Sequence, residues 1–369
     1  MLCAEKVHHA SFILRHGVID SWMHRRKLSF MKHKESMQKA YREKDAEYYT
    51  LYEDIAAELP QYREQLRGKR IICPCDWDES YNEELVYKEE GVTASDLFSN
   101  GSIKHLDLAA SKNKFEKDFD AIKCQFVKFL VAHAEAYGIR SISVSGYNPE
   151  TGEGVKFQDI NYSNYDLVIT NPPFALFREF MDVMMKSGKD FLVIGPTTAL
   201  TYKNIAGYMH DNRVWLGYAK QMKGFRRPDG SLLLSKDKDG SVPRACKWYT
   251  NLDVKYRHDW VTLTKSYYEN PEAYPTYLNF DAIHISSVKD IPYDYEGMMG
   301  VPSTIMTKFN PDQFEIVGSS IGLAEKPEFD IPKNKRGGPA FYLPDGKGSV
   351  KRIFAMLVIR NLHPRKEEE

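Results

Sequence analysis

Residues 165–174 read Tyr-Asp-Leu-Val-Ile-Thr-Asn-Pro-Pro-Phe. Tyr165 to Thr170 is a short apolar run rich in β-branched residues, the composition of a strand covered on both faces. Asn171-Pro172-Pro173-Phe174 stops it, because each proline lacks an N–H and holds φ near −65°. Beyond it the apolar spacing changes, and Ala175 to Lys186 is predicted to be a helix. Asp190 to Ile194 (DFLVI) is the next predicted strand. Strand, turn, helix and strand in succession build a parallel sheet, whose ligand crevices lie beyond the carboxyl ends of its strands.

Working towards the N-terminus, Val155 to Phe157 is predicted to be a strand ending near Asp159, and Arg140 to Ser145 another. Phe115 to Tyr137 has helical apolar spacing, with Phe119, Ile122, Phe126 and Leu130 on one side, and Gly138 ends it. Glu79 to Lys114 is polar and irregular and reads as an insertion. Lys69 to Cys75 (KRIICPC) is a buried strand that runs into the acidic turn Asp76-Trp77-Asp78. Ala46 to Leu66 has helical spacing. The fold class expected is therefore α/β, a doubly wound and mostly parallel sheet, with Asp76, Asp159 and Asn171 at strand tips. After about Gly217, short aromatic strands, Pro and Gly become frequent, which places a domain change there.

The Asn171–Phe174 segment suits chemistry at an exocyclic amine. Such a nitrogen is a weak nucleophile while its lone pair is delocalised into a ring. Two acceptors beside its two N–H groups draw it toward tetrahedral geometry. The Asn171 side-chain oxygen and the Pro172 carbonyl can be those acceptors, Pro172 and Pro173 stiffen the turn, and Phe174 offers a face for a base.

Composition narrows the partners. With 51 basic and 51 acidic residues the net charge is zero, so a uniform attraction to nucleic acid is excluded. Local excesses remain. One holds Lys220, Lys223, Arg226, Arg227, Arg244 and Lys247; another runs from Lys333 to Lys366 with Asp345 as its one acid. Both are candidate phosphate contacts. The five cysteines are scattered, as expected of reduced thiols in a cytoplasmic protein without a metal site. No run approaches the roughly 20 apolar residues that cross a bilayer. Residues 1 to about 45 are basic and poorly patterned, and Met31 inside them is a candidate start, which would make residues 1–30 dispensable.

These motifs together resemble the EcoRI-type adenine-specific DNA methyltransferases, within the wider amino-methyltransferase class. The resemblance rests on Glu47-Tyr48-Tyr49-Thr50, Pro74-Cys75-Asp76, Thr170 to Phe174 with Leu176-Phe177-Arg178-Glu179, Trp215-Leu216-Gly217 and Thr250-Asn251-Leu252-Asp253-Val254. It continues through Lys289-Asp290-Ile291-Pro292, Met299-Gly300-Val301-Pro302 and Lys308-Phe309-Asn310-Pro311, covering about residues 46 to 317. The F-x-G-x-G glycines of the broader class are absent from the first cofactor loop.

The resemblance implies a Rossmann-like S-adenosylmethionine-dependent catalytic domain over 46–218, with an insertion at about 79–114. A smaller mixed target-recognition region over 219–369 would follow. It implies that Tyr49, Thr50, Cys75 and Asp76 line the cofactor site, with Asp159 at the cofactor adenine. Asn171, Pro172, Pro173 and Phe174 would act on a flipped-out adenine. Implied partners are double-stranded DNA and a restriction endonuclease acting in the same system, for a monomeric cytoplasmic enzyme. An RNA or protein amino-methyltransferase and a catalytically silent DNA-binding protein are the rival readings.

Overall fold

The computed structural model describes residues 49–76, 85–86, 103–118, 122–147, 154–219, 222–226, 230–234 and 246–365. The basic arm with Met31, most of the Glu79 to Lys114 stretch, and Lys220, Arg227 and Arg244 lie outside the described residues.

A seven-stranded mixed sheet organises the protein. In chain order its strands are β2 (Arg70–Cys73), β3 (Lys104–His105), β4 (Ser141–Val144), β5 (Leu167–Thr170), β6 (Asp190–Pro196), β7 (Trp215–Leu216) and β10 (Cys246–Thr250). Their spatial order is β3-β4-β2-β5-β6-β10-β7. The four central strands run parallel, with Ile72 opposite Ser143 and Val168, and Thr170 opposite Val193. β3 and β10 join antiparallel on either side, and β7 is antiparallel to β10.

Alternation along the strands separates two cores. Ile72, Val168, Phe191 and Val193 face one cluster, whose other side is helix α5 (Phe177–Ser187) and helix α6 (Lys203–His210). Ile71, Cys73, Leu167, Ile169, Leu192 and Ile194 face the other, which helices α1 (Tyr52–Glu58) and α4 (Gln125–Tyr137) cover. Both faces are thus buried, which is why these strands read as continuous apolar runs rather than alternating ones. α4 stops at Gly138, whose φ of 64° breaks the helical path as expected from the sequence.

A second, four-stranded sheet takes β11 (Ile283–His284), β12 (Met298–Val301), β16 (Leu357–Asn361) and β13 (Phe314–Ser319) in that order. Its Ile283, Met299, Phe314, Ile316 and Ile359 join the same apolar cluster as α5 and α6. A hairpin of β14 (Tyr342–Pro344) and β15 (Val350–Arg352) stands beside it. No helix among the described residues is long and apolar enough to cross a membrane.

Four expectations need correction. The predicted helix from Phe115 to Tyr137 is two helices, α3 (Leu108–Lys117) and α4; Asp118 is extended and ends the first. Asp107 caps α3 by accepting the Ala110 N–H at 2.9 Å, so the tail of the supposed insertion is ordered, and β3 within it edges the large sheet. Val155 to Phe157 forms no strand: Gly154 makes one isolated bridge to Tyr147, and Phe157 leaves the sheet plane to pack on Phe180, ring centroids 5.2 Å apart. The aromatic strand expected after the domain change near Gly217 belongs to the large sheet, because Cys246–Thr250 returns to pair with Leu192 to Pro196 of β6.

Candidate active site

At the carboxyl edge of the parallel strands, three chain segments converge on Asp76. Its own N–H donates to Ser145 O at 3.0 Å, just past β4. One carboxylate oxygen accepts the Thr170 hydroxyl at 2.5 Å, and the other accepts Cys124 Sγ–H at 3.3 Å. The Cys75 N–H reaches Thr170 Oγ1 at 3.3 Å. Asp76 is buried. It therefore links the loop after β2 to the last residue of β5 and to the residue preceding α4.

Asn171 is the first residue beyond β5, with its side-chain oxygen buried. Pro172 is buried and Pro173 half-buried. The Pro173 carbonyl accepts the Leu176 N–H at 2.9 Å, which starts the short turn Phe174–Leu176 leading into α5. Phe174 packs against the α1/α4 core and meets Phe225 edge-to-face, centroids 6.0 Å apart at 82°.

Phe225 brings in the N-terminal motif. It lies on β8 (Gly224–Arg226), which pairs with β9 (Leu232–Leu234) and with β1 (Tyr49–Thr50) in a three-stranded sheet. Thr50 stands opposite Phe225 and Tyr49 opposite Arg226. The Thr50 hydroxyl is buried with no hydrogen-bond partner among the described residues, an arrangement that costs free energy unless a further partner is supplied.

Two carboxylates that sequence reasoning missed hold this assembly. Asp54 on α1 accepts the Lys223 N–H at 2.8 and 3.0 Å and the Gly224 N–H at 3.2 Å. Glu58, one turn later and 0% exposed, accepts the Tyr218 N–H at 2.7 Å, the Ala219 N–H at 2.5 Å and the Tyr62 hydroxyl at 2.7 Å. Burial pushes both carboxyls above the ordinary carboxylate range, against the lowering by these donors. The signal was available: Asp54 and Glu58 fall on the same helical face as Ile55, Leu59 and Tyr62, and an acid on a buried face needs donors.

The remaining candidates fall elsewhere. Asp159 is exposed on a turn, its N–H bonded to Lys156 O at 2.9 Å, with no strand to carry it to a tip. Lys223 and Arg226 are exposed on the β8 hairpin. Lys247 sits half-buried in β10 opposite Gly195, and burial lowers its ammonium from the ordinary value.

A mixed α/β sheet with Asn-Pro-Pro-Phe at the tip of a central strand, and the N-terminal motif folded against it, defines a methyltransferase. Residues 36–361 match the family model described as adenine-specific methyltransferase EcoRI. The chain belongs to that family and is a DNA methyltransferase. It is 34% identical over 321 residues to the type II methyltransferase M.EcoRI of Escherichia coli, covering 79% of this chain and 90% of that protein. It is 29% identical over 293 residues to the type II methyltransferase M.MpnI of Mycoplasma pneumoniae, covering 76% of this chain and 84% of that one. No solved structure matches.

Proposed function

We propose that the enzyme methylates adenine N6 within a specific duplex sequence, taking the methyl from S-adenosylmethionine, as one half of a cytoplasmic restriction-modification pair. The observation that carries this reading is the placement of Asn171 to Phe174 at the carboxyl tip of β5, against Phe225 and beside Thr50.

The residues present fit the donor: the buried Thr50 hydroxyl, unpartnered among the described residues, and the β2 loop at Cys75 and Asp76 face the chemistry of a polar, charged small molecule. When bound, that donor supplies an activated sulfonium methyl. The protein's part is positioning. Tyr49, Thr50, Cys75 and Asp76 would hold the donor, with Asp159 as an outlying contact. Asn171 Oδ1 and the Pro172 carbonyl would accept the two N–H groups of the target amine and hold its lone pair out of the ring plane. Phe174, braced by Phe225, would carry the base. An adenine stacked in a duplex cannot reach this site, so it must be rotated out at a cost of a few kcal/mol. The large sheet is then a Rossmann-like methyltransferase sheet. Residues 46–218 with the returning strand β10 form the catalytic unit, and the rest of 219–369 reads DNA.

The test is transfer of labelled methyl from S-adenosylmethionine to duplex DNA, RNA and protein in parallel, followed by modified-base sequencing of host DNA. Duplex DNA should be labelled at adenine in one sequence context. Asn171→Ala should lose at least 100-fold in kcat, the scale of removing a preorganised polar contact at a reacting atom, with donor binding retained. Label confined to RNA or protein would overturn the reading.

A further inference from the structure

The most exposed large apolar side chain among the described residues is Phe354, at 91%. Its neighbours fix it in that position. Ile353, just before it, is buried with Phe341 and Leu343, and its N–H donates to Phe341 O at 2.9 Å. Met356, just after, is buried in the same cluster and tied twice to Ser320: its N–H donates to Ser320 Oγ at 2.9 Å, and its carbonyl accepts the Ser320 N–H at 2.9 Å. A phenyl ring held out between two anchored positions, between β15 and β16, has forgone burial in a fixed place.

The surroundings are basic and reach the candidate active site. Lys351 and Arg352 precede Phe354 and are exposed; Arg352 is steadied by donating to Gly338 O at 3.1 Å. On the Ser320 side Ile321 is exposed, and Gly322 lies against the stem of exposed Lys203. The ring of Tyr202 carries the Arg178 guanidinium, 4.7 Å from its centroid. Arg178 is in the first turn of α5, directly after Asn171 to Phe174. Parallel pairing of β5 with β6 makes the segment leading to Lys203 leave the same sheet edge as Asn171. Arg178, Lys203, Arg352 and Lys351 thus mark a basic path from Phe174 to Phe354.

We propose that this path is a duplex-DNA track in which Phe354 enters the duplex as an apolar wedge while Arg178, Lys203, Lys351 and Arg352 hold phosphates. The pairing of an apolar ring with flanking cations is what such a substrate requires: wedges open base steps and kink the helix, and cations neutralise the backbone. The inference rests on the reading of the enzyme as a duplex-DNA methyltransferase. It adds a contact on a different chain segment from the basic cluster around Lys223 and Arg226.

The experiment uses the full chain with a roughly 30-base-pair duplex carrying the modified context recovered by sequencing, labelled at both ends for energy transfer. Phe354→Ala should weaken binding about ten-fold and reduce the bend, with an unchanged melting temperature and unchanged donor binding, and Phe354→Leu should recover most of both. Lys351→Ala and Arg352→Gln should each lower the salt dependence of binding by about one ion. Wild-type affinity, bending and methylation in Phe354→Ala would overturn the wedge while leaving the activity standing. A wild-type dimer in sedimentation that becomes monomeric in Phe354→Ala would also overturn it, by assigning the ring to a second copy. Failure of the wild type to methylate duplex DNA would overturn both readings.

Discussion

Glu58 provides a quantitative test of how the active-site region is held together. It is fully buried, is in no ion pair among the described residues, and accepts three donors: the Tyr218 and Ala219 N–H groups and the Tyr62 hydroxyl. Glu58→Ala leaves all three without an acceptor. Each loss costs about 1–3 kcal/mol. Tyr218 and Ala219 are half-exposed, so water replaces part of the loss and the low end applies to them. The gross cost is then about 3–4 kcal/mol, from which relief of a desolvated charge takes back on the order of 1 kcal/mol, leaving about 2–3 kcal/mol. Urea unfolding should show this as a lower midpoint at constant slope. Because burial raises the folded-state pKa of Glu58, its contribution is fully present below the ordinary carboxylate value and is lost as pH rises through the folded one. The stability of wild type relative to Glu58→Gln should therefore fall as pH rises through that interval. An Ala variant within 0.5 kcal/mol of wild type, or a stability difference from Gln that is flat in pH, would refute this account. Gly217→Ala presses on the same carboxylate from the other side, since a Cβ there would lie 2.1 Å from Glu58 Oε1.

Asp166 should behave in the opposite sense. Its carboxylate takes the Arg70 backbone N–H at 2.9 Å and both guanidinium arms at 3.0 and 2.8 Å, which holds it well below the usual carboxylate range. That stability is present above about pH 4 and is lost as pH falls through the folded value. With both groups about a third exposed, solvent screens the pair and its contribution is small. Asp166→Asn should remove that part of the acid dependence in melts between pH 3 and 6, and an unchanged acid limb would count against the pair. Phe225→Ala should cost about 3 kcal/mol as a buried aromatic truncation and lower kcat by freeing Phe174. Phe225→Leu should keep most of the stability and still lose turnover, and full turnover in the Leu variant would remove Phe225 from the site.

The parts legible in the sequence are those whose cause is local. β5, the Asn-Pro-Pro-Phe turn and α5 follow one another within a single stretch, and the helix stop at Gly138 needs only that residue's conformational range. The parts that were not legible depend on distant partners. Val155 to Phe157 has strand-like residues, yet Phe157 packs on Phe180 and the segment forms no strand. Lys247 to Val254 reads as a strand of some later domain, and only the register of Cys246 against Pro196 and Thr250 against Leu192 reveals that it completes the first sheet. The spacing of Asp54 and Glu58 marks them as acids on the buried face of α1, but it does not say where their donors lie. Their backbone donors come from residues 218–224, far along the chain, and no spacing rule within α1 announces them.

The residues implied by resemblance for the donor and for the base fall in separate motifs, and the structure ties the segments that carry them to one another. β1 with Thr50 would be a two-residue strand of no independent stability. It persists because β8 pairs with it, and β8 is in turn held through the Lys223 and Gly224 N–H groups by Asp54, on the helix that directly follows β1. The loop is closed: strand, helix, carboxylate, hairpin and strand again. Phe225, at the middle of β8, touches Phe174, so the same closure that shapes the Thr50 side also sets the aromatic wall at the tip of β5. Lys223 and Arg226 belong to this hairpin and are exposed on it, and the Arg226 guanidinium donates to Gly230 O at 3.2 Å across its turn. Lys247 is different in kind. It is half-buried in the sheet itself, where burial lowers its ammonium from the ordinary value and its aliphatic stem packs along the strand.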